Sequence, residues 1–202
     1  SAAIINLGGI ANICCYNNKE LIAFDLGPAN AIIDDLMSYF YNKNYDEDGN
    51  KAFKGNVNKK LIKKFKSDIF FNKNYPKSLD REYFKPYYNQ LKKINKLDAI
   101  CTASIMTLEG IKLGIKLINK KIKTIILTGG GRKNLFLQKN IKKILQSKTN
   151  KTILVDELNL NGDLLEAQAF AYLGIRCVRK PPISLPSTTG VKKPTLGGTI
   201  YK

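Results

Sequence analysis

Three short apolar runs open the chain, and the joins between them are too short for anything but antiparallel strands. "AAIIN" (2–6) stops at Gly8-Gly9, "IANICCY" (10–16) at the turn Asn17-Asn18-Lys19, and "LIAFD" (21–25) at Gly27-Pro28. A parallel pair would need a crossover of about a dozen residues or more. The period then changes. From about Asn30, "AIIDDLMSYFY" has helical spacing, and its acids Asp34 and Asp35 read as solvated. A turn-rich stretch, "NKNYDEDGN", leads to helical patterns around 57–67 and 81–94, with the loop "FNKNYPKS" between them. The segment 98–120 reads as a long helix, apolar on most sides over its first half and therefore buried. "KTIILTGGG" is a strand running into three glycines, "KNLFLQKNIKKILQ" an amphipathic helix, "TILVD" a strand, and "DLLEAQAFAYLGIRCV" a final apolar helix. The Pro- and Gly-bearing tail "RKPPISLPSTTGVKKPTLGG" reads as irregular surface chain. Three hairpin-linked strands followed by helix, strand, helix, strand, helix predict an α/β fold. Its mixed sheet is flanked by helices, in the manner of one ribonuclease-H-like lobe.

Composition narrows the chemistry. At 202 residues and 44% hydrophobic, the chain fills the core of one large domain or two small ones. No apolar run approaches the roughly 18 residues of a membrane span, and no basic segment precedes an apolar one as in a signal peptide. The expectation is therefore a cytoplasmic protein without a membrane partner. Ser1-Ala2-Ala3 leads straight into a strand, which reads as a start inside a larger protein. There is no histidine and no CxxC pair, so zinc sites and histidine-based nucleophilic catalysis are poorly supported, and no metal ligands are assigned. Cys14, Cys15, Cys101 and Cys177 lie in apolar segments and read as small buried hydrophobes. The net charge of +18 is almost all lysine, spread along helices and loops beside Asn, Ile and Tyr. Such a bias follows from an AT-rich coding sequence. It does not predict a specific nucleic-acid partner, which would lean on arginine and aromatic platforms.

Two glycine turns and one acid carry the candidate chemistry. Gly8-Gly9 is either a tight hairpin or a bare backbone turn whose N–H groups suit phosphate. Gly129-Gly130-Gly131 joins a strand to a helix, the position at which α/β sheets receive ligands. It reads either as that connection alone or as a nucleotide contact. Neither loop matches the P-loop or dinucleotide fingerprints. Asp25 ends an apolar strand before Leu26-Gly27-Pro28, and either caps a turn or takes a proton from a substrate. Asp46, Asp48 and Gly49 lack the remaining ligands of a calcium loop.

Taken together, "NLGGIAN" (6–12), "AFDLGPANAIID" (23–34), "YDEDGNKAFKGNV" (45–57), "YPKSLDREYF" (75–84), "LTGGGRKN" (127–134), "NGDLLEAQAFAYL" (161–173) and "LPSTTG" (185–190) resemble the anhydro-N-acetylmuramic acid kinases. These belong to the sugar kinase, heat-shock-70 and actin superfamily. The resemblance implies an actin-like ATPase fold, with residues 1–202 forming the C-terminal lobe of a two-lobed enzyme whose N-terminal lobe is absent. It implies ATP-dependent opening and phosphorylation of 1,6-anhydro-N-acetylmuramic acid to N-acetylmuramic acid 6-phosphate, a step of peptidoglycan recycling, with ATP and Mg2+ as cofactors. By the same resemblance Asp25 is the general base and Gly8 and Gly9 face the phosphates. Gly129, Gly130, Gly131 and Asn134 hold the nucleotide, and Asn12, Asn30 and Glu166 contact the sugar. Partners are the anhydro-sugar and the missing lobe, with a second copy of this chain left open. Leu26 stands where the family has a small hydroxyl residue, Ala29 where it has glycine, and "KSLD" (77–80) where K-S-T-G is commoner. A non-catalytic remnant and an actin-like binding module remain alternatives; the site residues survive in an enzyme lobe and in a remnant alike, so they do not choose between those two.

Overall fold

The structure, a computed structural model, describes residues 1–17, 20–119 and 121–201. Strands β1 (Ala2–Leu7), β2 (Ile10–Asn17) and β3 (Glu20–Pro28) form the antiparallel meander that the short joins require. Of the turn expected at 17–19, Asn18 and Lys19 lie outside the described residues. Strands β4 (Ile122–Thr128) and β5 (Thr149–Leu154) add in parallel on the far side of β1, giving the order β3-β2-β1-β4-β5. This mixed order, with a helical crossover before β4 and another before β5, is the ribonuclease-H-like arrangement.

One face of the sheet is the core. Ala3, Ile5 and Leu7 alternate with exposed or half-buried neighbours along β1, and Ala11, Ile13 and Cys15 do the same along β2. Register lines them up: Ile5 faces Ile13 and Leu127, and Ile13 faces Phe24. Helices α1 (Asn30–Tyr41), α4 (Lys96–Lys116) and α5 (Leu135–Leu145) cover this face. Buried α4 side chains such as Ile100, Met106 and Ile111 each contribute about 2 kcal/mol. α4 can lie against β3 because it carries glycine at the crossing. A Cβ on Gly114 would stand 2.3 Å from Leu26 Cδ2, and one on Gly110 would stand 3.1 Å from the Leu26 carbonyl oxygen. The short helices α2 (Lys59–Lys66) and α3 (Lys85–Leu91) hold an aromatic cluster of Phe65, Phe70, Phe71, Phe84 and Tyr87 beside the core.

Five expectations change. Cys14 and Cys177 are half-buried rather than buried, because Cys14 lies on the face of β2 opposite Ile13 and Cys15, and Cys177 lies on the last long helix, which buries none of its residues. β3 does not stop at Asp25. It runs on to Pro28, because a β-bulge at Leu26 absorbs one residue between the Asn12–Asp25 and Ala11–Gly27 pairs. β5 begins at Thr149, before the expected "TILVD", because Thr149 and Lys151 already pair with Ile122 and Thr124 of β4, and it ends at Leu154, where Val155–Leu158 turn into a short 3-10 helix. Asp34 is half-buried rather than fully solvated, on the wall of a cavity that residues 45–48 also line. The last long helix, α6 (Leu165–Arg179), is apolar but buries none of its residues, leaving Phe170 at 67% and Val178 at 65% exposure. The tail is largely irregular, with one short helix, α7 (Pro186–Thr189), packed against β3.

Candidate active site

The sheet face turned away from the core carries a polar row. Register places Asp25, Asn12, Asn6 and Thr128 side by side across β3, β2, β1 and β4. The Thr128 hydroxyl donates to Asn6 Oδ1 at 3.3 Å. Asp25 precedes the bulge, in the regular ladder that also sets Phe24 against Ile13, and alternation along β3 puts it on the opposite face from buried Phe24 and Leu26, beside Asn12. The Leu79 N–H donates to Asp25 Oδ2 at 2.6 Å, and the Asp25 N–H donates to the Lys77 carbonyl at 2.9 Å. The unusual "KSLD" segment is thus the brace of Asp25. Burial raises the Asp25 carboxyl above its ordinary value, and the Leu79 N–H pulls it partly back. A raised carboxylate is a stronger base than a free one.

A cleft of about 750 Å³ opens over this row; Gly8, Gly9, Asn12, Gly129, Gly130 and Glu166 all line it. Asn6, Thr128 and Arg132 line it too. A second cavity of about 480 Å³ adjoins, lined by Asn30, Asp34, residues 45–48, Gly130, Gly131, Lys133 and Asn134. Six of the expected site residues therefore share one cleft, and four border the neighbouring cavity, with Gly130 common to both. Asp25 lines neither and reaches the cleft only through its neighbour Asn12.

The first turn of α1 is tied to the Gly8-Gly9 turn. The Asn30 N–H donates to the Gly8 carbonyl at 2.9 Å, and the Ala29 N–H to the Gly9 carbonyl at 3.0 Å. The Asn30 side-chain amide donates to the Leu7 carbonyl at 2.8 Å. Asn134 caps α5, its Oδ1 accepting from the Leu137 N–H at 3.0 Å.

The three glycines of the second loop differ in what holds them. Gly129 has φ +76°, and a Cβ there would stand 2.7 Å from the Leu7 carbonyl oxygen. A Cβ on Gly131 would stand 2.8 Å from Leu7 Cβ and 2.9 Å from Asn30 Oδ1. Gly130 has nothing within 4 Å of that position. Packing explains the first and third glycines; the second is bare backbone on open space.

Arg132 was not singled out by sequence. It is 2% exposed, and its Nε and Nη2 donate to the Asp156 carboxylate at 2.7 and 3.1 Å. It also meets Asp163 at 3.0 Å and the Gly129 carbonyl at 3.1 Å. This guanidinium staples the triple-glycine turn to the loop that starts α6; its hydrogen bonds hold Asp156 below the usual carboxylate range, and Lys133, with Arg132 second, does the same for Asp163. Asn6 and Thr128 also escaped sequence reading, and Asp34 reads there only as a solvated helix residue. Among the described residues no group of three or more His, Cys, Asp or Glu side chains could hold a metal ion, and no helix is long and apolar enough to cross a membrane. Asp46 does not stand free for a cation: its carboxylate accepts from the Lys51 and Ala52 N–H groups at 2.9 and 3.0 Å.

The family model for anhydro-N-acetylmuramic acid kinase matches residues 1–202. The chain belongs to the anhydro-N-acetylmuramic acid kinase family. The anhydro-N-acetylmuramic acid kinase of Zymomonas mobilis is 38% identical over 201 residues, covering 98% of this chain and 54% of the relative. That of Roseobacter denitrificans is 35% identical over 206 residues, with the same two coverages. The chain therefore spans about half the length of the curated relatives it matches. Among solved structures, the activator of the 2-hydroxyisocaproyl-CoA dehydratase from Clostridium difficile with bound ADPNP overlays at a TM-score of 0.47 and 12% identity. That overlay covers 77% of this chain and 54% of the activator, a likeness too low to bear on function.

Proposed function

We propose that this chain supplies the C-terminal half of the catalytic site of an ATP-dependent kinase acting on 1,6-anhydro-N-acetylmuramic acid. In this reading the N-terminal lobe of the same enzyme closes the cleft from the other side. A water attacks C1 of the anhydro sugar and loses its proton to the Asp25 carboxylate. The C1–O6 bond breaks with its electrons on O6, and O6 takes the γ-phosphoryl group of ATP. The products are N-acetylmuramic acid 6-phosphate and ADP. Gly8 and Gly9 would receive the phosphates on bare backbone, and Asn12 and Glu166, on the same cleft, would contact the sugar. Asn30 would act by holding the end of β1 and Gly131 in place, since its amide is committed to the Leu7 carbonyl.

The nucleotide would lie across Gly129–Gly131, its phosphates toward the larger cleft and its nucleoside toward the smaller cavity. Mg2+ would arrive with ATP, held largely by phosphate oxygens as that ion commonly is, and would neutralise their charge.

The observation that carries this reading is Gly130, an unobstructed backbone shared by both cavities, where packing requires no glycine. An ADP titration followed by amide shifts tests it. Shifts confined to Gly129–Gly131 and persisting at raised salt are expected, at roughly millimolar affinity for a half-site. Shifts scattered over lysines and lost in salt would mean charge attraction alone.

A further inference from the structure

We infer that Asp34 reads the ribose of the bound nucleotide, accepting hydrogen bonds from its 2′ and 3′ hydroxyls. The inference rests on the nucleotide reading above and adds a residue to it.

Asp34 lines the smaller cavity together with Gly130 and Gly131 of the triple-glycine loop. Among the described residues, no donor hydrogen-bonds to its carboxylate and no cation lies within ion-pair distance. Its neighbour Asp35, by contrast, is bound to Arg81 at 2.8 Å. A half-buried carboxylate without a partner is costly unless something else supplies donors. Burial and the adjacent Asp35 push the Asp34 carboxyl up to about 7, with Arg81 offsetting part of the rise.

Position selects the ribose. The first turn of α1 is fastened to the Gly8-Gly9 turn through the N–H groups of Ala29, Asn30 and Ala31, which sets the phosphate end of the ligand there. Asp34 follows Asn30 by four residues, one helical turn or about 6 Å along α1. Moving outward from the phosphates, the ribose is the next part of the ligand at that distance, and the base lies beyond it. Ribose hydroxyls are donors that an ionised carboxylate accepts well, and the cavity of about 480 Å³ has room for a nucleoside. Gly130 forms part of the same wall without a side chain, so the sugar can approach α1 unobstructed.

The test compares ADP with 2′,3′-dideoxy-ADP on this chain at pH 8, where Asp34 is ionised, reading affinity from the Gly130 amide shift. ADP should bind about tenfold more tightly, the usual scale for hydrogen bonds to a charged group. Asp34→Asn should bring ADP down to the dideoxy affinity while changing dideoxy-ADP less than about twofold. The wild-type comparison needs no variant to fold. Equal affinities in the wild type, with Gly130 still shifting, overturn the role of Asp34 and leave the nucleotide reading standing. A preference that survives Asp34→Asn also overturns it. No shift at Gly130 with either nucleotide overturns both.

Discussion

Alanine at Gly129 and alanine at Gly130 should behave oppositely, although the residues are adjacent. At Gly129 the backbone has φ +76°, where a β-carbon costs about 1–2 kcal/mol. The new methyl would also stand 2.7 Å from the Leu7 carbonyl oxygen, and β1 is the central strand, so the backbone cannot retreat. Overpacking of this kind costs about 1–3 kcal/mol. Gly129→Ala should therefore destabilise by about 2–5 kcal/mol, or about 4–20 °C in Tm for a chain of this size. Gly130→Ala meets nothing within 4 Å. It should be neutral or stabilise by up to about 1 kcal/mol through the unfolded state. In the nucleotide titration the order reverses in meaning: Gly130→Ala folds normally yet should weaken ADP about tenfold, because its methyl occupies the ligand's approach. Thermal unfolding by circular dichroism and the amide titration give both numbers. Equal destabilisation by the two substitutions would refute the packing account of the loop. Unchanged ADP affinity in Gly130→Ala would refute its role as a ligand-facing backbone.

Two further outcomes are expected. Asp34 titrates near 3.8 unfolded and at about 7 folded, so its contribution to stability is complete below about pH 4 and is lost as pH rises through 7. After allowance for its contact with water, Tm should fall between pH 5 and 8 by the equivalent of about 1–2 kcal/mol. Asp34→Asn should flatten that slope, whereas an unchanged slope would assign it to other groups, Asp25 first. Arg132→Met removes the charge-assisted bonds to Asp156 and should destabilise by about 2 kcal/mol while exposing residues 156–163 to limited proteolysis; an unchanged digestion pattern would deny the staple.

How far the sequence could be read depended on whether a feature was local. The three opening strands were legible because Ile5, Leu7, Ile13 and Cys15 alternate with solvent-side neighbours, and short joins leave few ways to connect them. The glycine turns were legible because three glycines in succession are conspicuous. The polar row was not: Asn6, Asn12, Asp25 and Thr128 meet only through register across four strands. Asp34 looked solvated because helical spacing says nothing of the 45–48 loop that lines the same cavity. Arg132 gave no signal because its partners, Asp156 and Asp163, come from another loop. Asn134 stood in a recognisable phrase, yet capping of α5 and nucleotide contact call for the same residue there, and only the first is visible in its bonds.

The central claim is that Asp25 is the base of half a kinase site. It is tested most directly by joining this chain to the N-terminal half of the Zymomonas mobilis relative and assaying ATP-dependent formation of N-acetylmuramic acid 6-phosphate. The account predicts no turnover by the 202-residue chain alone and turnover by the joined protein. It also predicts a loss of about 10²–10⁴-fold in kcat for Asp25→Asn, with nucleotide affinity little changed, while the exposed control Glu82→Gln is unaffected. Turnover by the chain alone, or near-normal kcat in Asp25→Asn, would contradict it, the latter pointing to Glu166, which lines the larger cleft, as the base.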